Sequence, residues 1–87
     1  MKSIIQDHKY CYFCGSPYTE CHHVRLNNIS RKRAEKYGLL AYLCARCHRA
    51  LHINESMKRS LQIHAQKALE EEMGHEQYMK EIGKNYV

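Results

Sequence analysis

Leu43-Cys44-Ala45-Arg46-Cys47-His48-Arg49-Ala50-Leu51-His52 is the stretch on which the fold turns. It opens with a Cys-x-x-Cys pair and runs into two histidines four residues apart. From Ala45 onward the pattern reads as helix, and on a helix residues i and i+4 share a face, so both imidazoles can reach one metal ion. Two thiolates separated by two residues can wrap one side of a zinc ion, and a second such pair completes a tetrahedron. That second pair stands upstream as Cys11 and Cys14 in Tyr10-Cys11-Tyr12-Phe13-Cys14-Gly15-Ser16-Pro17, where Gly15 and Pro17 supply turn chemistry. The alternative is four buried structural thiols, but paired Cys-x-x-Cys spacing is a strong zinc signal. A four-thiolate zinc site leaves no position open for substrate, so Cys11, Cys14, Cys44 and Cys47 are expected to hold a structural ion.

The two pairs are separated by 29 residues, more than the usual zinc-ribbon gap of about 15–20, so something is inserted between them. The insertion carries Thr19 to Val24, a strand candidate containing Glu20-Cys21-His22-His23-Val24. Ser30 is a fitting N-cap for a short helix over Arg31 to Tyr37, closed by Gly38. Leu39 to Leu43 is a second strand candidate. A strand histidine brought alongside His48 and His52 makes a three-imidazole site with open positions, which is a catalytic rather than a closed geometry. Consecutive strand side chains point to opposite faces, so near a kink one histidine can bind metal while its neighbour faces substrate as a general base. His8, His64 and His75 have no such company and read as surface residues, and Cys21 reads as a small buried hydrophobe.

Further out, Met57, Leu61, Ala65, Ala68 and Leu69 fall at helical spacing. They predict a helix capped by Asn54 or Ser56 and running to Met73, with Gly74 ending it. Glu76 to Ile82 predicts a last helix that buries Tyr78, Met79 and Ile82. The Met residues are expected to fill core gaps, and residues 1–9 read as a loose lead-in. At 87 residues this is expected to be one domain with a thin core and no large enclosed cofactor pocket. No apolar run approaches a membrane span, and MKSIIQDHKY lacks the apolar segment of a signal peptide. A cytoplasmic location is expected, where five Cys and seven His point to metal rather than disulfides. A redox role for the Cys-x-x-Cys pairs is the weaker reading, because no βαβ pattern surrounds either one.

Charge is unevenly spread. Residues 1–54 carry nine Lys/Arg against three acids, while residues 55–81 carry four against six. The Cys/His half is therefore the basic half, which favours a polyanion near the metal sites over a merely solvated surface. Arg25, Arg31, Lys32, Arg33 and Lys36 follow the histidine pair, and Arg46 and Arg49 flank the helix histidines, with Glu35 standing alone against them. All seven are candidate phosphate contacts, which position a strand without reading its sequence.

Taken together, Cys11-x-x-Cys14, Glu20-Cys21-His22-His23-Val24 and Leu43-Cys44-x-x-Cys47-His48-x-x-x-His52 resemble the HNH endonucleases of phage and bacterial type with a zinc-knuckle core. The resemblance implies a small α+β fold: a ββα-metal (His-Me finger) core with a four-Cys structural zinc site and C-terminal helices. The single HNH-like domain would span residues 1–87, with the knuckle and core in 10–54 and the helices in 55–87. It further implies that His22, His48 and His52 bind a catalytic divalent metal and that His23 is the general base. The expected activity is hydrolysis of DNA phosphodiester bonds with weak or no sequence specificity. Three imidazoles suit Zn²⁺, Ni²⁺, Mn²⁺ or Co²⁺ better than Mg²⁺, although Mg²⁺ stays among the candidates. The acidic helices are expected to serve as scaffold or protein-contact surface. One departure stands out. The middle Asn of the family pattern, which helps hold the loop of the base histidine, has no counterpart in Gly38-Leu39-Leu40-Ala41-Tyr42. Backbone groups, Tyr42 or Asn54 are the candidates for its task. The alternative is a non-catalytic, zinc-stabilised module that binds nucleic acid or protein on the same frame.

Overall fold

The computed structural model describes residues 2–87; Met1, the first residue of the lead-in, lies outside the described residues. The order of elements is β1 (Glu20–His23), a 3-10 turn (Leu26–Asn28), α1 (Arg31–Tyr37), β2 (Leu40–Leu43), α2 (Ala45–Leu51) and α3 (Glu55–Glu81). The result is a small α+β protein built on a two-stranded antiparallel sheet, with Glu20 opposite Leu43, Cys21 opposite Tyr42, His22 opposite Ala41 and His23 opposite Leu40. No helix among the described residues is long and apolar enough to cross a membrane.

Local chemistry sets the boundaries of α1. The Ser30 hydroxyl accepts from the Arg33 amide at 3.1 Å, and Gly38 ends the helix in the left-handed region at φ 74°. That conformation turns the chain directly into β2. Asn54 caps α3 in the same way, its side chain accepting from the Met57 amide at 3.1 Å. The expected break at Gly74 is present as a non-helical residue (φ 82°, ψ 159°) inside α3. Leu61, Ala65, Leu69, Tyr78 and Ile82 are buried from the two sides of that break, and Met57, Met73 and Met79 pack around them. The core also takes Leu26, Ala34, Leu39 and Leu43 from the sheet half of the chain.

One region is more ordered than the sequence reading expected. Residues 2–6 form a strap rather than a loose lead-in. The Ile4 amide donates to Gly38 O at 2.9 Å, the Ser3 hydroxyl donates to Leu40 O, and the Gln6 side-chain oxygen accepts from the Tyr42 amide at 2.7 Å. These bonds satisfy backbone groups of β2 and of the turn that leads into it, which would otherwise present an open edge. The C-terminal segment is also tied down. Asn27 sits at φ 53°, its side-chain amide donates to Ile82 O at 2.7 Å, and its backbone amide donates to the Tyr86 hydroxyl at 2.8 Å. Buried Gln66 accepts from the Tyr86 amide at 2.6 Å and donates to the Asn85 side chain at 2.7 Å.

Candidate functional site

Each cysteine pair is shaped by backbone hydrogen bonds. In the first, the Cys11 amide donates to Ser16 O at 2.8 Å and the Gly15 amide donates to Cys11 O at 3.0 Å. Gly15 takes φ 80°, which its missing side chain permits. In the second, Cys44 is the N-cap of α2, and its sulfur accepts from the Cys47 amide at 3.4 Å. A bond from the Tyr12 amide to Tyr42 O, 2.8 Å, holds the first loop against β2 and brings the pairs together. The four sulfurs lie within 4.8 Å of one another, with Cys14 and Cys44 at 3.6 Å. A tetrahedral zinc with Zn–S bonds of about 2.3 Å needs sulfurs about 3.8 Å apart, so the four thiols fit the ion. Burial opposes ionisation of Cys11, but amide donors from Cys44, Cys14 and Phe13 outweigh it and bring its pKa to about 6. The Cys47 amide lowers Cys44, whereas burial and the neighbouring thiols push Cys47 up to about 12. Cys11 is thus poised as a thiolate before a cation arrives, and Cys44 is shifted in the same direction.

Three histidines gather between β1 and the end of α2. His22 lies edge-on to His48 with ring centroids 5.0 Å apart, and His48 stacks on His52 at 5.4 Å. The alternation of β1 explains this, since Glu20 and His22 face α2. The Glu20 carboxylate meets His48 Nδ1, which leaves Nε2 of that ring free. Burial, then the neighbouring imidazoles of His48, His52 and His23, lower the pKa of His22 to about 4, so at neutral pH it is an uncharged ring with a lone pair to offer. The three imidazoles are looser than the cysteines. Among the described residues, the four thiols are the group whose ligand atoms close to metal-holding distance.

His23 points to the opposite face, where α1 packs. Its Nε2 lies 2.8 Å from Glu35 Oε1, and its side chain is only 10% exposed. Cys21 shares that face yet is exposed, contrary to the expected burial. A two-stranded sheet with one short helix on this side covers the His23 end and leaves the Cys21 end bare.

Both His22 and His23 line a cleft of about 360 Å³ at the end of β1, together with Arg25, Asn28, His52, Lys58 and Gln62. A larger hollow of about 450 Å³ lies beside residues 3–8, Tyr12 and His64, but there the imidazole of His64 is bonded to the Tyr12 hydroxyl at 2.7 Å and no ligand cluster forms. The smaller cleft is thus the one bordered by clustered histidines, His22 and His52.

Of the predicted phosphate contacts, Arg25 reaches this cleft, with its Nε donating to Ile29 O at 2.6 Å. Arg31, Lys32 and Lys36 are exposed on α1, and Arg46 and Arg49 are exposed on α2. Arg33 is also exposed, but its guanidinium donates to Glu81 O at 2.7 Å and braces α1 against the end of α3. His8, His64 and His75 are at the surface, as read, with His75 bonded to Glu70. Four roles escaped the sequence reading: Glu20 and Glu35 as partners of His48 and His23, and Lys58 and Gln62 in the cleft wall. Glu20 carried a usable signal, since it stands two residues before His22 on one strand face. Lys58 and Gln62 each follow a stripe residue, Met57 and Leu61, and their position on α3 was legible although their target was not.

Comparison with family models, with curated proteins and with solved structures gives no match to this chain. Its own geometry defines a small α+β protein with four cysteines at metal-holding distance and a basic, histidine-lined cleft.

Proposed function

We propose that the protein is a metal-dependent HNH-type endonuclease that hydrolyses DNA phosphodiester bonds with little or no sequence specificity. The observation that carries this reading is the placement of His22, His48 and His52 in one cluster with His23 at the same cleft. In it β1, β2 and α2 act as a ββα-metal finger, with a zinc ion on the four cysteines as its structural support. His22, His48 and His52 would hold the catalytic ion, and Glu20 fixes the ring of His48 through Nδ1, the usual outer-shell arrangement of a metal-binding histidine. A divalent ion bound there would stabilise the negative charge that builds on the phosphate and its leaving oxygen. His23 takes the proton of the attacking water, a task suited to an imidazole near neutral pH. Water attack with loss of the 3′ oxygen leaves 5′-phosphate and 3′-hydroxyl ends. Arg25 and Lys58 hold the reacting phosphate in the cleft, while Arg31, Lys32, Lys36, Arg46 and Arg49 track the flanking backbone.

The absent middle Asn and the looser spacing of the imidazoles favour a second reading, a zinc-stabilised binding module without turnover. Plasmid nicking across Mg²⁺, Mn²⁺, Ni²⁺ and Zn²⁺ separates the two. On the endonuclease reading, His23→Ala retains DNA binding and the second metal but cuts roughly 10²–10⁴-fold more slowly. Replacing His22, His48 or His52 weakens the second metal, and activity partly returns at high metal concentration. Wild type that cuts nothing with any of the four ions overturns the endonuclease and leaves the binding module.

A further inference from the structure

We infer that Glu35 is the positioning residue of His23, performing from α1 the task that the HNH pattern gives to its middle asparagine; the catalytic meaning of this inference rests on the endonuclease reading above. The contact is a 2.8 Å hydrogen bond between His23 Nε2 and Glu35 Oε1, made by a side chain with little freedom to move. Neither side-chain candidate read from the sequence does this. Asn54 spends its side chain capping α3, and Tyr42 stands opposite Cys21 rather than His23.

The helix that carries the carboxylate is fixed by the Ser30 cap at one end, by Gly38 at the other and by the Arg33 bond to Glu81 O. Gly38 is in turn packed under the N-terminal strap, with the Ile4 amide on its carbonyl.

The chemistry of the pair defines the role. An ionised carboxylate only accepts hydrogen bonds, so beside it Nε2 carries a proton, and in the neutral ring Nδ1 is then left with the lone pair. Glu35 thereby selects one tautomer and one ring orientation. When Nδ1 takes a proton from water, the ring becomes a cation with a carboxylate already beside it. An asparagine amide could orient the ring but could not offset that charge. This is the base–orienter logic of hydrolytic triads, here assembled between a strand and a helix.

The test uses the full-length zinc-loaded protein, labelled with ¹⁵N, and long-range ¹H–¹⁵N correlation of the histidine rings at mildly alkaline pH. His23→Ala assigns the signal. Wild-type His23 should be a single Nε2–H tautomer, and Glu35→Ala should give a mixture. Glu35→Gln, nearly the same shape, serves if the alanine variant fails to fold, and should also lose the single tautomer because its amide can turn either way. A wild-type ring that is already mixed, or one unmoved by both variants, overturns the inference. In nicking kinetics Glu35→Ala should lower kcat by roughly 10²-fold with KM for plasmid and affinity for the second metal unchanged, and Glu35→Asp should recover part of the loss. A tautomer change with kcat intact overturns the positioning role. If wild type cuts nothing under any metal, the endonuclease reading fails alone, and the ring spectra still decide whether Glu35 sets His23.

Discussion

Replacing Cys11 by Ser should release the N-terminal segment and with it the cooperative fold, and the size of the effect follows from how that segment is held. Residues 2–19 contain no strand or helix. Four hydrogen bonds tie the segment to β2 and its lead-in: Ile4 to Gly38, Ser3 to Leu40, Tyr42 to Gln6 and Tyr12 to Tyr42. At a net ~0.5–1.5 kcal/mol each they contribute about 2–6 kcal/mol. Ordering the backbone costs about 1–2 kcal/mol per residue, so the eighteen residues cannot hold themselves in place, even with Ile5 and Cys11 buried. A structural zinc ion contributes about 10–16 kcal/mol at neutral pH, as much as or more than the roughly 4–13 kcal/mol expected for the whole of an 87-residue fold. Cys11→Ser or Cys47→Ser should therefore lose the ion and the cooperative thermal transition together. Stoichiometric chelator should do the same to wild type, and added zinc should reverse it. Cys21→Ser is the control, because Cys21 is exposed and outside the cluster. It should keep one zinc per chain and an unchanged Tm. The measurements are metal content by mass spectrometry and far-UV circular dichroism on heating. A Cys11→Ser protein that is metal-free and melts like wild type would refute the reasoning.

Gly38→Ala should cost about 1–3 kcal/mol, because φ is 74° and the new Cβ would lie 2.8 Å from Lys2 O; a Tm within error of wild type would show that the strap does not press on this turn. Acid should destabilise the protein through His22. Its folded pKa of about 4 lies below the ordinary 6.5, so the unfolded chain binds the proton first. That stability is complete above about pH 6.5 and is lost as pH falls toward 4, to the extent of about 1–2 kcal/mol after solvent screening, and His22→Ala should flatten this part of a stability–pH curve in protein kept free of a second metal. In DNA binding, neutralising Arg31 and Lys32 together should reduce the slope of log affinity against log salt by up to about two units, while Arg33→Gln should act mainly on Tm through its lost bond to Glu81. A slope unmoved by the double change places nucleic acid away from α1.

Much of the fold was legible because its signals span four residues or fewer. Ser30 and Gly38 bound α1 as read, the apolar stripe from Met57 to Leu69 lies on the buried side of α3, and Gly74 breaks that helix. Each Cys-x-x-Cys pair was legible from its own spacing, and the i, i+4 relation of His48 and His52 stacked their rings. Caps, turns and helical periodicity are local chemistry, and each residue's neighbours along the chain are enough to specify them. The contacts between elements are of another kind. Nothing near His23 indicated Glu35, twelve residues away on a separate helix. Nothing near Ile4 or Gln6 indicated that the lead-in would strap β2, nor near Asn27 that it would pin Ile82. Arg33 reads from sequence as one basic residue among several, yet its partner lies 48 positions further on. Cys21 has the character of a core residue, but its exposure was set by how far a single short helix reaches across a two-stranded sheet. In each case the deciding quantity is the packing of one element on another, which depends on surfaces contributed from distant parts of the chain and has no local pattern to read.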